Sequence, residues 1–148
     1  MDYDEIKANL SAAVPMVRTL NLEYLELSGD RALLRMPDDP AFHNHVAGPH
    51  AGAMFTLGES ASGAVVIAAF SDQMHRALPL AADGVITYKR LAMGAVLAEA
   101  KLGRPREDVI ADLDAGKNAK FPVTIELRTE DGTVTGEMTV TWALRLNR

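Results

Sequence analysis

Residues 47–70 form a continuous apolar stretch that contains a single formal charge, Glu59. A helix of this length could cross a bilayer, but it lacks flanking Lys/Arg and an aromatic belt. It also carries His50 and a central carboxylate, which hydrocarbon would penalise. We therefore predict a helix at about residues 52–71 that is buried inside the protein, covered by elements from the rest of the chain.

The bulk properties fit one globular domain, which we expect to span residues 1–148. The net charge of −5 and the lack of a Lys/Arg run argue against nucleic acid as a partner. The chain has no cysteine, and its acidic start lacks the pattern of a secretory signal. We expect a cytoplasmic protein without a membrane partner.

Periodicity predicts the other elements. A helical apolar spacing indicates an N-terminal helix at about residues 2–20, broken near Pro15. The rest of the chain contains alternating runs that predict strands, with turn residues between them. It also contains one charged interruption that could hold a short helix. The predicted strands are 22–27, 31–36, 85–91, 95–102, 123–128 and 134–146, with the interruption at 104–120.

The last predicted strand indicates the shape of the sheet. In residues 134–146 the apolar positions Val134, Met138, Val140 and Trp142 share one face, and Thr135 falls on the other. Such a run exceeds the common length of ~3 to 10 residues, which favours a twisted, curved sheet. We predict an α+β fold, an antiparallel sheet wrapped around the long central helix.

Two features around the start of this helix carry chemistry. Free N–H groups near Ala51 and Gly52 combine with the helix dipole to stabilise negative charge, such as a thioester oxyanion. Two turns later, Glu59 stands alone among apolar residues, where desolvation would raise its pKa toward that of a general base. Glu59 could activate water against the carbonyl carbon.

The segment 44–52 followed by Glu59 resembles hotdog-fold acyl-CoA thioesterases of the phenylacetate-pathway type. In that family an Asn lies six positions before a His-Gly-Gly that opens the central helix, and an acidic residue lies nine positions after the His. Asn44, His50 and Glu59 match both spacings. A weaker similarity at 86–88 and 91–94 extends the resemblance over about residues 20–146.

The resemblance implies an acyl-CoA hydrolase in which Glu59 is the base, Asn44 positions the water or thioester, and His50 orients the carbonyl. It also implies a homodimer, or a dimer of dimers, whose sites draw on two protomers. No cofactor and no metal are expected, because the histidines lack a spaced ligand set. The expected substrate-binding residues are Ala51, Gly52, Tyr88, Lys89, Arg90 and Arg104, the cations as contacts to coenzyme A phosphates.

Two departures from the family keep other functions open. Ala51 stands where the family has Gly, and Ala81 where some members have Ser or Thr. A non-catalytic acyl-CoA-binding hotdog protein is one alternative. The other is a 3-hydroxyacyl-thioester dehydratase, because Phe42 and His45, followed by Glu59, resemble the helix opening of that group, where the His is the base.

Overall fold

A computed structural model describes residues 2–148 as an α+β structure. Four α-helices and six strands follow one another along the chain, with a short 3-10 helix on each side of the longest α-helix. In chain order they are α1 (Tyr3–Ala13), α2 (Pro15–Thr19), β1 (Glu23–Leu27), β2 (Arg31–Met36), α3 (Ala51–Phe70), β3 (Ala77–Tyr88), β4 (Val96–Leu102), α4 (Arg106–Asp114), β5 (Ala119–Thr129) and β6 (Val134–Leu146).

The six strands form one sheet in the order β1-β2-β4-β5-β6-β3. Every neighbouring pair is antiparallel. Strands β1 and β3 are therefore the two edges. The inner face of the sheet packs on α3, and α3 contacts every strand. The predicted sheet wrapped around a central helix is confirmed.

Helix α3 begins one residue before the predicted start and ends one before the predicted end. Eleven of its twenty residues are buried, on most sides rather than along one stripe, as expected of a helix enclosed by a sheet. Residues 51–73 are long and apolar enough to cross a bilayer, yet 61% of their most apolar window is buried inside the protein. This is a core helix.

Strand β3 corrects the sequence prediction. The predicted strand 85–91 begins eight residues earlier and ends three earlier, at Ala77–Tyr88. The missed part contains Pro79, which is usually excluded from central strands. Here it is tolerated because β3 pairs only with β6 among the described strands, so one side of it is an edge.

The β5–β6 hairpin keeps the predicted alternation over most of its length. Met138, Val140 and Trp142 are buried against the helix. Thr135, placed on the outer face by the pattern, is instead buried to 2% exposure. The register shifts beside it, between Leu127 and Arg128, and a bulge of this kind re-aims the following side chain.

The N-terminal helix breaks at Pro15, as predicted, into α1 and α2. The guanidinium of Arg18 in α2 donates to the carbonyl oxygens of Ser11 (2.8 Å) and Ala12 (2.6 Å) at the end of α1. These bonds satisfy two of the carbonyls that a helix end leaves free. The two helices thus act as one bent unit that packs on α3 and the edge strand β1.

Candidate functional site

The loop before α3 is shaped by Asn44. Its Oδ1 accepts from the backbone N–H groups of Val46 and Gly48, both at 3.0 Å, and its Nδ2 donates to the Pro49 carbonyl at 3.3 Å. Ala47 is held at φ 59°, a left-handed conformation that is strained for a residue with a Cβ. The Asn44 amide therefore fixes the loop, and its predicted role toward water or thioester stays a prediction.

Gly48 joins this loop to the segment after β3. A Cβ at Gly48 would lie 2.8 Å from the carbonyl oxygen of Ala92 and 2.9 Å from the sulfur of Met93. The first contact is with backbone, which cannot rotate away. Only glycine permits this approach, so the loop and residues 92–93 form one wall beside the helix start.

The first turn of α3 holds a free hydrogen-bond donor. His50 is the N-cap, and its Nδ1 accepts from the N–H of Gly52 at 2.9 Å. The N–H of Ala51 has no acceptor within residues 2–148. The Ala51 carbonyl accepts from the hydroxyl of Tyr88 at 2.7 Å, which ties the helix start to the end of β3. Of the two predicted oxyanion donors, Ala51 is the free one.

A cleft of about 360 Å³ opens at this point, and we call it the helix-start cleft. Two cationic residues that were predicted to bind substrate, Lys89 and Arg90, line it. Lys89 pairs with Glu137 at 2.8 Å, whereas the guanidinium of Arg90 is exposed and has no side-chain partner within residues 2–148. The cleft is lined by Asn44, Pro49, Ala51, Met54, Tyr88, Lys89, Arg90, Leu91 and Ala92.

Arg104 is not part of this cleft. Its guanidinium pairs with Asp112 at 2.8 Å beside α4. The neighbouring Arg106 donates to the carbonyl of Ala69, about 27 Å along α3 from Ala51 at ~1.5 Å per residue. Within one chain the structure therefore separates Arg104 from the other predicted substrate-binding residues.

Glu59 lies in a second, apolar cavity of about 210 Å³, which we call the Glu59 pocket. Its carboxylate has no hydrogen bond or ion pair within residues 2–148, and burial raises the pKa of Glu59. The direction agrees with the prediction that desolvation raises this pKa, and the role of Glu59 as a base stays a prediction. The pocket is lined by Leu10, Val14, Val17, Tyr24, Glu59, Ser60, Gly63, Ala64, Ile67, Pro79 and Trp142.

Tyr24 is a pocket residue that the sequence reasoning missed. Burial, and then the charge of Glu59, raise the pKa of Tyr24 to about 12. The phenol is therefore a neutral neighbour of the carboxylate. Tyr24 lies on β1, 35 positions before Glu59, and no local sequence signal connects the two residues.

Glu99 provides a contrast to Glu59 elsewhere in the molecule. Its side chain is 17% exposed. Burial alone would raise the pKa of Glu99, but its hydrogen bond and ion pair with Arg31, helped by Arg128 and Lys101, lower it instead. Glu59 has no such cation among the described residues. A partly buried carboxylate without a counter-ion is the arrangement expected of a general base rather than of a structural ion pair.

The two regions do not meet within one chain. Glu59 follows Ala51 by eight residues, which is about 12 Å along the helix at ~1.5 Å per residue. An oxyanion donor must lie ~3 Å from the carbonyl oxygen, and the base must lie ~3 Å from the water that attacks the same carbonyl carbon. His45 is exposed in the turn before the helix and lines neither cavity.

No group of three or more His, Asp or Glu side chains within residues 2–148 is arranged to hold a metal ion. The polar groups at the two cavities instead include the Glu59 carboxylate, the free N–H of Ala51 and the unpaired guanidinium of Arg90. This set can move a proton, stabilise an oxyanion and bind an anion.

Comparison with known proteins relates this architecture to a family and to a fold. A family model described as "Domain of unknown function (DUF4442)" matches residues 4–144. No curated protein matches the chain in sequence.

Solved structures match over nearly the whole chain. A Pseudomonas aeruginosa protein described as a probable thioesterase has a TM-score of 0.88 and 24% identity, and 99% of this chain and 97% of that chain are covered. A thioesterase family protein from Silicibacter pomeroyi has a TM-score of 0.79 and 20% identity over 99% and 100% of the two chains. A variant thioesterase from P. aeruginosa has a TM-score of 0.79 and 18% identity over 99% and 96%. The hotdog fold predicted from the sequence is thereby confirmed.

Proposed function

The chain belongs to the family described as Domain of unknown function (DUF4442), and we propose that it is an acyl-CoA thioester hydrolase. The observation that carries the proposal is Glu59, a carboxylate with a raised pKa and no counter-ion within residues 2–148, in a hotdog fold. The structural neighbours named as thioesterases support the same reaction class.

The reaction needs one base and one oxyanion donor. Glu59 takes a proton from water as the water oxygen attacks the thioester carbonyl carbon, and the Ala51 N–H stabilises the oxyanion. The carbon–sulfur bond then breaks, and the proton held by Glu59 passes to the departing thiolate. Water and thioester are thus converted to a carboxylic acid and free coenzyme A, with no other reactant.

These two groups are supplied by different protomers of a homodimer. Within one chain they are about 12 Å apart along the helix at ~1.5 Å per residue and line separate cavities, which favours a site that draws on two chains. Strand β3 is a twelve-residue edge with exposed apolar side chains at Leu78, Leu80 and Val85. An edge of this length and character is normally covered, and a second copy pairing there would do so.

The coenzyme A part of the substrate lies in the helix-start cleft. Arg90 is the unpaired cation there, and Lys89 next to it is already partly neutralised by Glu137. A guanidinium suits phosphate oxygens because it can bind two of them at once. Arg90 is therefore the main phosphate contact, and Asn44 supports the reaction by holding the loop that shapes the cleft.

The test is thiol release from purified protein across short, medium, long and aryl acyl-CoAs. We expect turnover by the wild type and a fall in kcat of roughly 10²- to 10⁴-fold in Glu59→Gln. The matched control is Glu99→Gln, which removes another partly buried carboxylate and should leave kcat within about twofold. Absence of thiol release from every substrate, or full activity in Glu59→Gln, would contradict the proposal.

Two further assays distinguish the alternative functions. Tight calorimetric binding of acyl-CoA without turnover would indicate a non-catalytic binder, the function suggested by Ala51 and Ala81. Dehydration of a 3-hydroxyacyl-CoA that is lost in His45→Ala and kept in Asn44→Ala would indicate a dehydratase.

A further inference from the structure

Leu10, Val14 and Val17 of the N-terminal segment line the Glu59 pocket, and we call them its cover. Arg18 fixes α1 to α2 at the bend, so this cover has a defined position. The protomer that supplies Glu59 therefore also supplies apolar lining around it.

Trp142, another lining residue, is held by a chain of two hydrogen bonds, and we call its ring the floor of the pocket. The indole Nε1 of Trp142 donates to the hydroxyl of Ser62 at 2.9 Å. That hydroxyl in turn donates to the backbone carbonyl of Glu59 at 2.6 Å. The first bond is buried and the second is partly buried, and together they tie the Trp142 ring to the backbone of α3 at Glu59.

The size of the cavity limits what it can hold. Its volume of about 210 Å³ is the share of roughly seven liquid water molecules at ~30 Å³ each. A methylene group takes up a similar space to a water molecule, so an unbranched chain of about six to eight carbons would fill it. A C16 chain would not fit without opening the cover.

The chemistry of the lining selects a neutral, apolar occupant. Glu59 is the only acidic side chain among the lining residues, and no Lys or Arg lines the pocket. A free carboxylate would be repelled by Glu59 and gain no cation. A thioester carries no charge at that position, whereas the acid formed by hydrolysis does, which favours its release.

From these observations we propose that the Glu59 pocket binds the acyl chain of a medium-chain acyl thioester, about six to eight carbons long, with Gly63 and Trp142 setting the limit. The proposal rests on the proposed hydrolase function. It adds the substrate class and two residues that determine chain length.

Gly63 offers a direct way to shorten the pocket. A Cβ at this position would lie 3.5 and 3.6 Å from two ring atoms of Trp142, which is ordinary van der Waals contact. Alanine therefore fits without displacing the ring, but it fills space between the helix and the floor. The matched control is Gly29→Ala in the β1–β2 turn, where the new Cβ would also meet its nearest atom at 3.5 Å, away from the pocket.

The experiment measures kcat/KM for straight-chain acyl-CoAs from C2 to C16 in the wild type, Gly63→Ala and Gly29→Ala. In the wild type we expect kcat/KM to rise by roughly fourfold per added methylene and to stop rising at about C6 to C8. We call the chain length at which kcat/KM stops rising the break. Gly63→Ala should move the break to a chain one or two carbons shorter, and Gly29→Ala should leave it in place.

Calorimetric binding of the same series to Glu59→Gln separates this proposal from the hydrolase function. Turnover with no break at medium length, or a break that Gly63→Ala does not move, overturns the chain-length proposal and leaves the hydrolase standing. A binding break that Gly63→Ala moves, in a protein without turnover, supports the pocket and overturns the hydrolase. Neither turnover nor chain-dependent binding overturns both.

Discussion

The helix-start cleft and the Glu59 pocket lie on the same helix and have opposite characters. The cleft is open and exposes polar groups, including an unpaired guanidinium at Arg90 and a free N–H at Ala51. The pocket is smaller and apolar, and its one carboxylate has a pKa raised by burial. One region attracts negative charge, whereas the other disfavours it.

In the proposed reaction, this difference lets each helix contribute an oxyanion donor at its start and a base two turns later. The first turn supplies donors because its N–H groups have no intrahelical partner. Two turns later every backbone group is satisfied, so only a side chain can act, and an apolar setting gives Glu59 its basicity. Oxyanion stabilisation and base catalysis require these opposite environments, and both must reach one carbonyl group.

Removal of the free donor has the largest expected effect of any change at the cleft. Ala51 is the first residue of α3, where proline is well tolerated because its missing N–H would have no helical partner. Ala51→Pro deletes the proposed oxyanion donor and should lower kcat by roughly 10²- to 10³-fold. Steady-state thiol release measures the effect, and circular dichroism checks that the helix content is unchanged.

Ala51→Gly is the matched control for this position. It keeps the N–H and introduces the residue that the resembling thioesterases have there, so kcat should stay level or rise. Equal losses in Ala51→Pro and Ala51→Gly would show that the side chain, rather than the donor, matters.

The pH dependence tests the pocket. A general base acts only when deprotonated, and the pKa of Glu59 is raised by burial. We expect kcat/KM to fall about tenfold per pH unit as pH drops through that raised pKa, above the ordinary Glu value of ~4.3. In Glu99→Gln the fall in kcat/KM should occur at the same pH as in the wild type. A fall centred at or below the ordinary pKa of Glu would contradict a desolvated base.

The raised pKa of Glu59 also affects stability, in the opposite direction: low pH reduces the expected activity but favours the folded state. The folded state holds the Glu59 proton more tightly than the unfolded state does, so this group favours folding at low pH. Its contribution is lost as pH rises from the ordinary Glu range through the raised pKa. Denaturant unfolding of Glu59→Gln should therefore show a higher free energy of unfolding than the wild type at neutral pH, and a similar one at acid pH.

The smallest effect is expected at the phosphate contact. Arg90→Gln removes an exposed cation, and such ion pairs contribute ~0 to 1 kcal/mol, so KM for acyl-CoA should rise about two- to fivefold with kcat unchanged. A short thioester without the nucleotide should show no change in KM. Arg145→Gln, on an exposed part of β6, is the control. An equal rise in KM for both thioesters would show that Arg90 does not bind the nucleotide.

The sequence predicted the elements whose signals are local. The apolar run around Glu59 placed the central helix within one residue at each end, and strict alternation predicted the final hairpin. The predicted strand 85–91 misses the first part of β3, which contains Pro79, a residue that is tolerated there because β3 is an edge. Edge position depends on the order of strands in the sheet, which no short segment encodes.

The candidate site was predictable only in part for the same reason. The spacing of Asn44, His50 and Glu59 is a local motif and was found. Tyr24 and Trp142 come from strands far along the chain, and only the fold brings them to the Glu59 pocket. Arg104 had the same sequence appearance as Arg90, but its salt bridge with Asp112 is a tertiary contact.

Mixing two inactive variants tests most directly whether the cleft of one chain works with the pocket of another. Equal amounts of Glu59→Gln and Ala51→Pro are unfolded, mixed and refolded together, and thiol release is compared with each variant refolded alone. Half of the dimers should contain both variants, and one of the two sites in each would be intact. Activity should therefore rise to about a quarter of wild type for a two-fold symmetric dimer. A mixture that stays at the level of the separate variants would contradict the shared site.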